Sequence, residues 1–156
     1  MVITGEVGAG KTILAGTLFQ ELENRDDVAV GHIVTSQLRA DDLLRMVAAS
    51  FGVAHQGLDK TTVLESIQGY LKECASNGRK ALLVIDDAQD LRADALEELR
   101  ILSNLQSKGK ALLQIFLLGQ AEFRPILNAP EMEHFRQRII TSYHLGPLSP
   151  SETQAY

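Results

Sequence analysis

Residues Gly5 to Thr12 read Gly-Glu-Val-Gly-Ala-Gly-Lys-Thr and follow the apolar pair Val2-Ile3 directly. The pattern is G-x-x-x-x-G-K-T leaving a strand and entering a helix, the spacing of a phosphate-binding P-loop. Glycines let the backbone fold tightly round an oxyanion, so successive N–H groups converge on it as an anion nest. The helix that follows adds the positive end of its dipole. Lys11 is long enough to reach β- and γ-phosphates, and the Thr12 hydroxyl is a hard oxygen ligand suited to Mg²⁺. The expected phosphate-contacting run is Gly5, Glu6, Val7, Gly8, Ala9, Gly10, Lys11, Thr12 and Ile13. A plain glycine turn before a surface helix would not require the terminal Gly-Lys-Thr, and here every fixed position is filled.

Bulk properties narrow the class. A chain of 156 residues suits one domain with a real core. The formal net charge of -5 argues against a large nucleic-acid footprint. With Cys74 as the one cysteine, no internal disulfide can form; a reducing compartment fits, and Cys74 reads as a small buried hydrophobe on a helix. The longest apolar stretch, near Leu112–Leu118, is far short of the roughly 20 residues that a membrane-spanning helix needs. No charged-then-apolar leader precedes the P-loop. The P-loop strand normally lies mid-sheet, yet here it begins beside Met1. Ser149-Pro150-Ser151-Glu152 looks like a helix start that stops within a turn. The expected organisation is a nucleotide-binding core over residues 1–148, clipped at its N-terminus, and the first turn of a truncated helical lid over 149–156.

Along the chain, Lys11 to about Asn24 carries Ile13, Leu14, Leu18 and Leu22 at helical spacing. Val28–Val34 is a β-branched run that predicts a buried strand. Asp41 opens a second helix that ends near Gly52, its acidic pair favouring the N-terminus. Thr61 to about Ser76 predicts a third, closed by Asn77-Gly78. Ala81–Ile85 is a continuous apolar strand ending on Asp86-Asp87. Ala93 to about Gln106 repeats leucine every third residue as a helix, and Ala111–Leu118 predicts the next strand. Short helices at Glu122–Leu127 and Glu131–Arg138 and a last strand at Ile139–Leu145 complete the pattern. Strands alternating with helices, with apolar runs too continuous for a half-exposed sheet, imply an α/β fold with a parallel sheet covered on both faces. Ligands of such sheets bind beyond the carboxyl ends of the strands. That rule places Gly5–Thr12, Asp86-Asp87 and Gly119-Gln120 on one edge.

The chemistry expected there follows from residue type. Asp86 closes an apolar strand, which is the Walker B pattern: a rigid carboxylate that holds Mg²⁺, usually through water. Asp87 would then orient or deprotonate the attacking water. Alone, the pair reads equally well as a helix cap; a P-loop roughly seventy-five residues upstream, the room that intervening α/β units need, favours the catalytic reading. Gln120, just past a strand end, could contact the γ-phosphate or the water, in preference to being a plain loop residue. Arg136 and Arg138 end a helix that leads into the last strand. They read equally as groups that neutralise charge on the transferred phosphoryl and as a solvated, dipole-complementing helix terminus. The histidines, His32, His55, His134 and His144, are scattered, which argues against a zinc site.

These motifs, with Leu82–Gln89 (Leu-Leu-Val-Ile-Asp-Asp-Ala-Gln), Leu113–Phe123 (Leu-Gln-Ile-Phe-Leu-Leu-Gly-Gln-Ala-Glu-Phe), Arg136-Gln-Arg-Ile and Tyr143–Ser149, resemble the AAA+ ATPases of the general secretion pathway protein A type. Gln37–Phe51 and Leu96–Asn104 are similar to the secretion ATPases that accompany the PEP-CTERM/exosortase system of Gram-negative bacteria. The resemblance covers nearly the whole chain. It implies an AAA+ core with sheet order 5-1-4-3-2 and Mg²⁺-dependent ATP hydrolysis within a homo-oligomer. Lys11 and Thr12 then match Walker A, Asp86 the Walker B metal carboxylate, Gln120 the sensor-1 position, and Arg138 an arginine finger offered to a neighbour's nucleotide.

The family usually reads Asp-Glu-Ala-Gln where this chain has Asp86-Asp87-Ala88-Gln89. The shorter carboxylate sits back by about one bond length, and a misplacement of roughly 1 Å can cost about a hundredfold in rate, so binding should survive while hydrolysis slows. Ala121 replaces a frequent proline, a harmless change. The expected function is an ATPase that drives conformational change in a secretion or exopolysaccharide-export assembly. It would be cytoplasmic or peripheral at the inner face of the inner membrane, with no specific nucleic-acid partner. The alternatives are a DNA-associated AAA+ ATPase of transposition or replication, a nucleotide-binding switch with little turnover, and, less in keeping with Asp86-Asp87, a small-molecule kinase.

Overall fold

The computed structural model describes residues 2–5, 11–35, 37–133, 136 and 142–145. Its main sheet has strands β1 (Val2–Gly5), β2 (Val28–Val34), β3 (Lys80–Asp86), β6 (Leu113–Gly119) and β7 (Ser142–Leu145). Helices α1 (Lys11–Glu23), α2 (Ala40–Ser50), α3 (Lys60–Ser76), α4 (Ala93–Ser103) and α5 (Phe123–Leu127) connect them. A short hairpin, β4 (Gln106–Ser107) with β5 (Lys110–Ala111), lies between α4 and β6. The sheet order is β2-β3-β6-β1-β7 and every pairing in it is parallel. Counting only these five strands in chain order and reading from the other edge, the order is the expected 5-1-4-3-2.

Alternation along β3 explains why that strand reads as uninterrupted hydrophobics. Ala81, Leu83 and Ile85 enter the larger core, beneath Leu43, Leu44 and Val47 of α2, Val63, Ile67 and Leu71 of α3, and Leu96, Leu99 and Leu102 of α4. Leu82 and Val84 face the other way and pack with Leu118 against Phe19 and Leu22 of α1. Both faces are therefore covered, as a parallel sheet requires. Each fully buried leucine or isoleucine on the three-helix side contributes about 1.5–3 kcal/mol through removal of apolar surface from water. Cys74 is 3% exposed inside this core, the small-hydrophobe role expected of it.

Helix ends follow from local chemistry. Asp59 caps α3, its carboxylate accepting from the Thr62 N–H at 2.7 Å. At the other end the Arg79 N–H returns to the Cys74 carbonyl at 2.8 Å, with Gly78 at φ 72°, a left-handed turn that glycine adopts without a Cβ penalty. Helix α4 stops at Ser103, three residues earlier than leucine spacing predicts. The chain then turns through Lys108 (φ 53°) and Gly109 (φ 75°) into the hairpin, so Ala111 belongs to β5 and β6 starts at Leu113. Half of the predicted Glu131–Arg138 helix, residues 134, 135, 137 and 138, and the start of the Ile139–Leu145 strand lie outside the described residues; Pro130–Met132 is a 3-10 turn.

Candidate functional site

Parallel strands share their carboxyl ends, and the register fixes how closely the three motifs align. Ile85 of β3 pairs with Leu117 of β6, and Leu117 pairs with Val2 of β1. Asp86, one residue on, is thus level with Leu118 and Ile3, and only β6 separates the acidic tip from the strand that feeds the P-loop. At about 4.8 Å per strand this is roughly 10 Å. Gly5 ends β1 and Lys11 opens α1, whose first turn carries no acidic residue to offset its positive dipole end. Thr12 follows in the same turn, and Ile13 is 49% exposed there. Glu6, Val7, Gly8, Ala9 and Gly10 lie outside the described residues, as does Arg138; Arg136 is half-buried.

The acidic tip is held by more than its own strand. Thr35, just past β2 and 3% exposed, donates its hydroxyl to the carbonyls of Asp87 at 2.6 Å and Asp86 at 3.0 Å, while its N–H donates to the Asp86 carbonyl at 3.2 Å. Asp86 Oδ1 accepts from the Asp87 N–H at 2.9 Å. Asp87 itself sits in the left-handed region, φ 54° and ψ 42°. An L-residue pays up to about 1–2 kcal/mol for that conformation, aspartate less than most. Although Asp87 precedes the short 3-10 turn Ala88–Asp90, its side chain makes no capping bond to that turn. Asp87 therefore does not act as a side-chain cap for that turn.

Gln120 follows β6 on the same rim and is half-buried. Its N–H donates to Gln89 Oε1 at 3.0 Å, and Gln89 Nε2 reaches toward Asp87 Oδ1 at 3.5 Å. Gly119 beside it lies close to α5: a Cβ there would stand 3.1 Å from the side chain of Phe123, which opens that helix. Thr35 escaped sequence reasoning: it acts across 51 and 52 residues and belongs to no spacing pattern. Gln89 closes the Asp-x-Ala-Gln motif, but the motif alone gives it no role; its amide joins Asp87, two residues back, to Gln120. Hard carboxylate oxygens on a rigid tip are the donor set that Mg²⁺ prefers, so Asp86 fits that ion.

A parallel sheet in this order, with a P-loop frame and an acidic strand tip on one rim, defines a P-loop NTPase of AAA+ architecture. The chain belongs to the AAA domain family, which it matches over residues 1–127. It is 34% identical over 157 aligned positions to general secretion pathway protein A of Aeromonas hydrophila, across 100% of this chain and 28% of that protein. It is also 26% identical to origin recognition complex subunit 5 of Drosophila melanogaster, across 96% of this chain and 32% of that protein. Among solved structures, Cdc6p from Pyrobaculum aerophilum superposes with a TM-score of 0.77 at 19% identity, over 97% of this chain and 40% of that one, a likeness of fold. The chain thus spans about a third or less of the curated relatives it matches. Among the described residues no helix is long and apolar enough to cross a membrane.

Proposed function

We propose that this chain binds Mg·ATP at the rim shared by β1, β3 and β6 and hydrolyses it. The observation that carries the reading is the register: Asp86 stands level with the P-loop strand, one strand away, with Gln120 between them. Backbone N–H groups of Gly5–Gly10 and the α1 dipole cradle the phosphates, and Lys11 pairs with the β- and γ-oxygens. Thr12 and Asp86 hold the metal side of the site; when bound, Mg²⁺ neutralises charge that develops on the phosphate oxygens. Asp87 orients the attacking water, and Gln120 contacts it or the γ-phosphate. Arg138 acts in trans, offered to the nucleotide of a neighbouring copy in a homo-oligomer. The similarity to general secretion pathway protein A supports a role in a secretion or cell-surface export assembly, the PEP-CTERM/exosortase type being the narrower form of that proposal. Residues 1–148 form the core, and 149–156 open a helical lid.

Lys11→Ala is expected to weaken ATP affinity in calorimetric titration; unchanged affinity overturns the P-loop assignment. Arg138→Ala is expected to spare binding and to lower turnover only at concentrations where subunits assemble. The second reading, a DNA-associated AAA+ ATPase, is favoured by the similarity to origin recognition complex subunit 5. Against it stands the net charge of -5, since phosphate contacts need a basic surface. DNA-stimulated turnover that falls steeply with salt would establish the second reading over the first.

A further inference from the structure

Gln89 lies two residues beyond Asp87, half-buried in the 3-10 turn that leaves the acidic tip. Its amide contacts two partners of opposite polarity. Oε1 accepts from the Gln120 N–H at 3.0 Å, and Nε2 faces Asp87 Oδ1 at 3.5 Å. The two contacts fix the orientation of the amide together: a flipped group would set oxygen against a carboxylate and NH₂ against an N–H, repulsive at both ends. A glutamine is the neutral side chain that can accept from one strand end while donating to the other.

We infer that Gln89 is a positioning residue that ties the Asp87 carboxylate to the backbone at the end of β6. The inference rests on the ATPase reading and deepens it. The carboxylate at the tip of β3 and the residue past β6 that meets the γ-phosphate are then set by one side chain rather than independently. The Asp87 side chain makes no capping bond to its own turn, so its direction depends on a partner such as Gln89. Thr35 fixes the backbone of the tip; Gln89 fixes where the Asp87 side chain points relative to Gln120.

The test measures kcat and KM for Mg·ATP with the full chain, using Gln89→Ala, Gln89→Glu, Asp87→Asn and the double variant Gln89→Ala/Asp87→Asn. Gln89→Ala is expected to lower kcat about tenfold, a fraction of the loss that a full 1 Å misplacement brings, with KM held within about twofold. Gln89→Glu keeps the acceptor for the Gln120 N–H but cannot donate to Asp87, so it should lose at least as much. Being nearly isosteric, it also carries the test should the alanine variant fold poorly. In the Asp87→Asn background Gln89→Ala should have no further effect on kcat, because its action passes through the carboxylate. Full turnover in Gln89→Glu, or losses that multiply in the double variant, overturns the inference while leaving the ATPase reading intact. A wild-type chain that binds no Mg·ATP overturns the ATPase reading itself, and the inference with it.

Discussion

Thr35→Val separates the anchoring of the acidic tip from its chemistry. The substitution is nearly isosteric and removes one hydroxyl. The Asp86 carbonyl keeps a donor, because the Thr35 backbone N–H still reaches it at 3.2 Å. The loss therefore falls on the Asp87 carbonyl, which accepts the shorter contact at 2.6 Å. One net hydrogen bond is worth about 1 kcal/mol, and no orphan penalty adds to it, because the Asp87 carbonyl still accepts from the Asp90 N–H at 3.0 Å. Against that, release of Asp87 from its left-handed conformation returns about 1–2 kcal/mol. The net destabilisation should thus be small, at most about 1 kcal/mol, which is at most about 2–4 °C in Tm for a chain of this length. Catalysis has no such offset. A relaxed Asp87 moves its carboxylate, and a shift of about 1 Å costs about a hundredfold. The expected result is a near-normal urea midpoint, unchanged ATP affinity and a kcat lower by one to two orders of magnitude. Thr35→Ser, which keeps the hydroxyl, should retain most turnover. Wild-type turnover in Thr35→Val would show that the Thr35 hydroxyl does not position Asp87, whatever happens to stability.

Three further outcomes are expected. Asp87→Glu, which restores the reach of the usual family residue, should raise turnover, as a steady-state assay will show; an unchanged or lower rate removes Asp87 from the mechanism. Lys60 of α3 pairs with Glu98 of α4, whose side chain is 6% exposed, and the carboxylate holds the ammonium above its usual pKa of 10.5. A raised folded value means that the pair stabilises fully below 10.5 and loses its effect as pH rises through the folded value. Lys60→Met should therefore lower the urea midpoint at pH 7 by stranding a buried carboxylate, Glu98→Leu added to it should recover the loss, and the wild-type advantage should fade at high alkaline pH. Asp59 behaves in the opposite sense: the Thr62 N–H holds its carboxyl below the usual 3.8. Its stabilisation is present above 3.8 and disappears as pH falls through the lower folded value. Asp59→Ala should then be less stable than wild type at pH 7 and converge with it in acid, as thermal melts across pH will show.

What was legible in the sequence is what chemistry forces into short patterns. Gly5–Thr12 declares its own strand–loop–helix setting, and Asp86 ends an apolar run whose both-face burial requires a parallel sheet. The strand-end rule then joins motifs that lie far apart in the chain. The register bears that out for Asp86 and Gln120. Contacts that hold the tip were not legible: Thr35 is an ordinary polar residue whose partners lie across the sheet, and the motif that ends on Gln89 does not say that its amide reaches Gln120. The end of α4 was misplaced for a different reason. Leucine spacing continues to Leu105, which does pack against the core, but from the turn after the helix rather than from within it. The hairpin that follows uses Lys108-Gly109, a weaker turn signal than Asn-Gly or Asp-Gly, so local propensity did not announce it.

On the proposed reading, the P-loop and the acidic tip of β3 form one nucleotide site. Titrating Mn·ATP into isotopically labelled chain and recording paramagnetic broadening of backbone amides reads this directly, since Mn²⁺ occupies Mg²⁺ sites and broadens what lies near it. Amides of Lys11, Thr12, Asp86, Asp87 and Gly119 should broaden first, while those of Lys80 and Leu113, which open β3 and β6 at the opposite edge of the sheet, stay sharp. Broadening centred on that opposite edge, or none at Asp86 under saturating Mn·ATP, would contradict it.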